Sequence, residues 1–294
     1  MFAPPAILKT RLFASLPDRF RKPAASSEWH LHQPGNLWGH SLLEGLVLDG
    51  AGGLYCVDIP WGRIFHVAAG GEFSLVAEYD GEPNGMKLLP RGELLIADYK
   101  NGLMRLDPKT GAVVPHLSRV RLERLKAVND LTISRSGEVF FTDQGLTGLH
   151  DPTGRVFRMR GDGHVDCLID NGPSPNGLVL SPDESVLYVA MTRANAIWRV
   201  PLMADGTVAK VGVYVQLSGG GGPDGLAIDR SGRLAIAHIG LGVIWLMSPR
   251  GEPLYRIESC AGTHTTNMVF SADERQLFIT ESETGSILVA DIPD

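Results

Sequence analysis

Six times along the chain a polar residue heads a short apolar strand. The segments read EGLVLDGAGGLYCVD from Glu44, NGMKLLPRGELLIAD from Asn84 and NDLTISRSGEVFFTD from Asn129. They continue as NGLVLSPDESVLYVAM from Asn176, DGLAIDRSGRLAIAH from Asp224 and TNMVFSADERQLFITE from Thr266. Successive heads are 40, 45, 47, 48 and 42 residues apart. Within each unit a strand such as Leu46-Val47-Leu48 runs into a Gly, Asp or Ser turn and a second apolar strand, a hairpin pattern. A third strand follows (Arg63 to Val67 in the first unit), and a fourth is expected before the next head, as in FSLVAEY at 73–79. A repeat of about 40–50 residues built of several strands predicts a β-propeller. The fold class is therefore all-β, a six-bladed propeller of four-stranded blades, and residues 1–294 form a single domain.

The sixth unit reaches Asp294 just after its third strand. The apolar segment Ile7 to Phe13 is expected to supply the missing outer strand and close the ring, which removes two exposed sheet edges. Little helix is expected beyond a turn near Asp18 to Arg21.

In such a ring each head recurs at one height on an innermost strand. Glu44, Asn84, Asn129, Asn176, Asp224 and Thr266 thus become a circle of oxygen donors around a central channel. Any one head taken alone reads as a turn residue, since Asn-Gly and Asp-Gly start strands after loops. That account does not cover Glu44, nor the presence of oxygen at all six places. Glu44, Asn129, Asn176 and Asp224 are ligand types suited to a hard cation. Ca²⁺ takes roughly six to eight oxygens from carboxylates, amide carbonyls and water. One divalent cation is expected, Ca²⁺ first, with Mg²⁺, Mn²⁺ and Zn²⁺ also suited to oxygen. No head is His, which argues against a His-rich zinc site.

The net charge of −6 gives no electrostatic case for nucleic acid or anionic lipid. The apolar runs fall short of the ~18 residues of a membrane span. The N-terminal stretch lacks a long apolar signal region, and the chain is read as a mature cytoplasmic protein. Oligomeric state is left open. Cys56, Cys167 and Cys260 are widely spaced, without metal-binding spacing, and are expected to be reduced and buried.

The blocks LEGLVLDGAGGLYCVDIPWGRI, VNDLTISRSGEVFFTD, PNGLVLSPDESVLYVA and PDGLAIDRSGRLAIAH resemble the senescence marker protein/gluconolactonase family, in order and spacing, from about Arg11 to Ile292. The resemblance implies a metal-dependent hydrolase opening a small-molecule lactone. By motif it assigns metal ligands to Glu44, Asn129, Asn176 and Asp224, and makes Asp224 the catalytic carboxylate as well. A related branch hydrolyses organophosphates, which is the alternative enzyme reading. A strictosidine-synthase-like propeller is disfavoured by retention of all four ligand types. A non-enzymatic calcium-binding propeller is the third reading, and it predicts no small-molecule pocket. Members acting on sugar lactones often carry Arg two residues before the second ligand. Ala127 stands there, which favours a less hydroxylated lactone.

Asn84, Asn129, His238 and Thr266 are candidates for substrate contact. A second vertical series closes the second strands: Asp58, Asp98, Asp143, Met191, His238 and Glu281. Its carboxylates are expected to be structural, accepting backbone hydrogen bonds, while His238 breaks the pattern. His40 and His264 read as surface-loop histidines. Trp38, Trp61 and Tyr99 are candidates for a pocket wall.

Overall fold

The computed structural model describes residues 4–22, 27–33 and 39–293. Trp38 lies outside the described residues. Among the described residues six sheets of four or five strands follow one another along the chain, with a two-stranded ribbon, Arg119–Val120 and Glu123–Arg124, between the second and third. Their innermost strands are Leu43–Leu48, Pro83–Leu88, Val128–Ile133, Pro175–Leu180, Gly222–Ile228 and Thr265–Phe270. Each packs against the innermost strands of both neighbouring sheets, and the sixth returns to the first. The six-bladed propeller is the fold.

Among the described residues six apolar clusters hold it together, one between each pair of adjacent blades. Val57, Ile64, Met86, Leu94 and Ile96, for instance, interleave between blades one and two. This is sheet-on-sheet packing repeated around a circle. It explains why the second and third strands read as nearly continuous apolar runs, since both of their faces are covered.

The N-terminal segment closes the ring, but it divides at Thr10. Arg11–Ser15 pairs antiparallel with Ser286–Asp291 as the outer strand of blade six. Ala6–Lys9 instead pairs parallel with Pro253–Glu258, as a fifth strand of blade five. Thr10 fixes the crossing: its hydroxyl donates to Glu258 O (3.1 Å) and accepts from Cys260 N (2.8 Å). Side chains divide with the strand, Leu8 packing on the blade five/six core and Ala14 and Leu16 entering the blade six/one core.

The expected helical turn is a 3-10 turn at Asp18–Phe20, and a four-residue helix lies at Glu28–Leu31. Cys56 is a buried thiol as expected. Cys167 and Cys260 are free but exposed, a correction to the sequence expectation. Cys167 lies on the outer strand Val165–Gly172, and Cys260 lies in the loop after Pro253–Glu258. Among the described residues no helix is long and apolar enough to cross a membrane.

Candidate functional site

The heads reach the channel because each innermost strand is bulged there. Pro83 pairs with Asp98 and Met86 with Ile96, so Asn84 and Gly85 together stand opposite Ala97. The same two-against-one break puts Asn129 and Asp130 opposite Thr142, and Asn176 and Gly177 opposite Ala190. It puts Asp224 and Gly225 opposite Ala237, and Thr266 and Asn267 opposite Thr280. In blade one the pairing breaks immediately after Glu44. A bulge re-aims a side chain out of the pleat, here into the channel. The register also makes Thr266, not Asn267, the sixth head.

The residue after each head meets the next blade. Gly85 leaves room for Asp130: a Cβ there would fall 2.1 Å from Asp130 Oδ1. Gly225 likewise makes room for Asn267. In the two blades carrying a side chain at this place, the residue opposite is Thr. Its hydroxyl accepts the N–H that the bulge displaces, Asp130 N to Thr142 Oγ1 (3.1 Å) and Asn267 N to Thr280 Oγ1 (2.9 Å).

All six heads are buried and line one cavity of about 930 Å³. Glu44 Oε2 accepts from Gly45 N at 2.7 Å, and Asn267 also hydrogen-bonds the carboxylate. Asn176 donates to Asp224. Asn129 Nδ2 donates to Gln144 Oε1 at 3.0 Å. Both amides are thereby held by their nitrogens, leaving the Oδ1 atoms of Asn129 and Asn176 available to a ligand. Burial raises the affinity of Glu44 for its proton well above the ordinary carboxylate value, and the nearby Asp224 charge adds to it. Burial raises Asp224 too. Asp130 lies behind them, raised by burial and opposed by Lys87.

Two buried carboxylates that disfavour each other's charge, with two amide oxygens beside them, fit a dication. Among the described residues no group of three or more His, Cys, Asp and Glu side chains is arranged for a metal. The donor set here is two carboxylates and two carboxamides, so amide oxygens and water would complete it.

Asn84 lines the cavity beside these four. The Thr266 hydroxyl is committed to Leu43 O at 2.8 Å. His238 does not line the cavity. Its Nε2 donates to Gly219 O (2.9 Å), its Nδ1 accepts from Trp245 Nε1 (3.1 Å), and burial lowers its pKa. Both ring nitrogens are thus engaged within the protein. The carboxylates of that series are structural. Asp58 accepts from Leu42 N and pairs with Arg63, Asp98 accepts from Tyr79 and three backbone amides, and Asp143 accepts from Lys126 N and Ala127 N. Glu281 accepts from Glu283 N and Thr284 N.

Tyr99 lines the cavity, and its hydroxyl donates to Gln144 Oε1 and Gly145 O, each 2.9 Å away. Trp61 is elsewhere, donating to His40 O. His264 is buried against the cavity rather than on the surface, and His40 is tied to Arg21 and Ser41. Lys126, next to Ala127, turns away to Thr153. Sequence reasoning missed Gln144, Thr192 and Ile239, all cavity residues. The signal was present one step past the second-strand ends. Ile59, Tyr99, Gln144, Thr192 and Ile239 form a vertical series of their own, because successive strand residues point to opposite faces.

Residues 42–283 match the family described as SMP-30/Gluconolactonase/LRE-like region. A gluconolactonase of Zymomonas mobilis is 36% identical over 218 residues, covering 68% of this chain and 60% of that protein. The match thus spans less than two thirds of that relative's length. The lactonase drp35 of Staphylococcus epidermidis is 29% identical over 269 residues, covering 84% of this chain and 82% of its own. The structure of a Xanthomonas campestris gluconolactonase superposes with a TM-score of 0.76 at 21% identity, over 100% of this chain and 99% of that one. At that identity the likeness is one of fold.

Proposed function

The chain belongs to the SMP-30/gluconolactonase/LRE-like family, and from that premise we propose that it is a divalent-metal-dependent hydrolase that opens a lactone. The observation that carries the reading is the convergence of Glu44, Asn129, Asn176 and Asp224 on the floor of one cavity of about 930 Å³. These four residues would hold the ion, Ca²⁺ before Mg²⁺, Mn²⁺ or Zn²⁺ on the hardness of oxygen donors. The names of the gluconolactonase and lactonase relatives support the same chemistry.

A divalent cation bound there supplies positive charge that polarises a carbonyl oxygen. The chain's own residues do the rest. Asp224 holds the attacking water and takes its proton as oxygen adds to the acyl carbon. The ring C–O bond then breaks, the proton passes to the departing ring oxygen, and a hydroxy acid leaves. Gln144 fixes Asn129 by its amide nitrogen, so the amide oxygen cannot turn away. Asn84, which lines the cavity, would hydrogen-bond the lactone. Burial of all six heads restricts bulk water at the reacting atoms.

A calcium-binding propeller without activity would need no cavity over the ring, and the cavity present favours a catalyst. The test is a lactone panel followed by pH indicator, run on chelated and ion-restored protein. Hydrolysis should stop with chelator and return with the ion. Turnover indifferent to chelation counts against ion dependence. An Asp224→Asn variant that binds the ion and keeps full turnover removes Asp224 from the role of base.

A further inference from the structure

Around the ring of heads the cavity lining mixes polar side chains, among them His32, Gln33, His150 and Arg193, with apolar ones. Among the described lining residues the only charged side chains are Glu44, Asp224 and Arg193, and the first two belong to the floor. One group of the polar wall residues is bonded to itself. Gln144 Oε1 accepts from Asn129 and Tyr99, and its Nε2 donates to Ser174 Oγ at 2.9 Å. The Thr147 hydroxyl donates to Gln144 O (2.6 Å) and accepts from Ser174 N (3.1 Å). The Thr192 hydroxyl donates to Pro223 O at 2.7 Å. A sugar-acid lactone carries hydroxyls along its carbon chain, and the side chains of Gln144, Thr147 and Thr192 already hydrogen-bond within the protein. Hydroxyls left without partners there are penalised.

The mouth carries the opposite feature. Leu146 and Leu149 line the cavity on the loop after Asp143, yet they are 70% and 72% exposed. Trp29, from the helix Glu28–Leu31, and Ile239 line the same cavity. Two leucines kept open at the rim of a cavity near the top of the roughly 300–1,000 Å³ ligand range have room for more than a lactone ring.

We infer that the substrate is a lactone bearing an apolar alkyl or aryl substituent, its ring on the polar floor and its substituent covering Leu146 and Leu149. This rests on the lactonase reading and makes Leu146 and Leu149 the residues that set specificity.

The experiment compares δ-gluconolactone with γ-lactones of increasing alkyl length, from γ-butyrolactone to γ-dodecalactone, on the full-length ion-loaded protein. The expected result is that kcat/KM rises about two- to fourfold per methylene until the seat is filled, as burial of CH₂ groups requires. In a Leu146→Ser/Leu149→Ser variant that slope should flatten. Both leucines are exposed, so folding is spared, and a thermal melt checks it. A flat slope in the wild type overturns the inference, as does better turnover of δ-gluconolactone than of any alkyl lactone. Binding of γ-decalactone is followed in parallel by tryptophan fluorescence. Length-dependent binding without turnover keeps the seat and sinks the lactonase reading. Neither binding nor turnover across the alkyl series overturns the seat, whatever δ-gluconolactone does.

Discussion

Gly85 is where fold and site can be separated by one methyl group. It follows the head Asn84, and a Cβ built there lies 2.1 Å from Asp130 Oδ1, 2.8 Å from Asp130 Cγ and 2.6 Å from Asp130 Cα. Ordinary contact begins near 3.4 Å. Rotating Asp130 relieves the first two overlaps but not the third, because Cα is backbone. In Gly85→Ala the innermost strands of blades two and three must therefore separate by an amount approaching 1 Å. Overpacking of this kind costs about 1–3 kcal/mol, or a Tm lower by about 2–6 °C for a chain this long. The strand that moves carries Asn129, one residue before Asp130, so one proposed ligand shifts against the other three. A misplacement near 1 Å can cost about a hundredfold in rate. Scanning fluorimetry and lactone turnover read both effects. Gly161→Ala is the control: nothing lies within 4 Å of its Cβ position and its φ is not left-handed. That change should be neutral or slightly stabilising, by less than about 1 kcal/mol. A Gly85→Ala protein matching the Gly161→Ala control in both Tm and kcat/KM would refute the close-approach argument.

Glu44→Gln and Asp224→Asn should each erase most of the ion-induced stabilisation, which for the wild type is about 2.7 kcal/mol at a hundred times Kd. Melts with and without Ca²⁺ measure it, and an undiminished Ca²⁺ response in both variants counts against the ligand set. Arg63→Met leaves the fully buried Asp58 without its charge partner, and urea unfolding should show a loss of about 3–5 kcal/mol. His238→Gln should lower Tm by breaking the bonds to Gly219 and Trp245 while leaving kcat/KM within about twofold; a rate lost with KM raised would return His238 to the substrate. Asp166, held below the ordinary carboxylate value first by its hydrogen bond from Arg158, stabilises the fold above the unfolded pKa of about 3.9. That contribution is lost as pH falls through the lower folded value, so the Tm gap between wild type and Asp166→Asn should be open at pH 6 and closed in strong acid.

The blades and their heads were legible because they repeat. One vertical column of oxygen donors, Glu44 to Thr266, marked both the period and the six residues that meet in the cavity. The column takes Thr266 rather than Asn267, and the bulge register agrees. Non-repeating parts were less legible. The split of the N-terminal segment depends on Thr10 finding Glu258 and Cys260, partners about 250 residues away that no local pattern announces. His238 breaks the Asp series in sequence, and its partner across the sheet, Trp245 on the neighbouring strand Val243–Met247, is nothing a local pattern announces. The apolar rim is a matter of exposure, and Leu146 and Leu149 look in sequence like any loop leucines.

The bulge explains how such a ring can hold chemistry at all. A regular strand starting at Asn129 would pair directly through the next residues and keep its side chains between blades, where the apolar clusters are. Placing two residues opposite one turns the head inward and displaces an N–H, which must find another partner. Where the second residue is Gly, the neighbouring strand closes over it. Where it is Asp130 or Asn267, a Thr hydroxyl across the strand takes the N–H, and a glycine in the adjacent blade makes the space. In those blades the local cost of the bulge is met beside and behind the head, whereas in blade one the head's own carboxylate takes the Gly45 N–H. The six heads differ as Glu, Asn, Asn, Asn, Asp and Thr while the blades stay alike. Burial raises the proton affinity of the two carboxylates among them, Glu44 and Asp224, a cost that a positively charged ligand would offset.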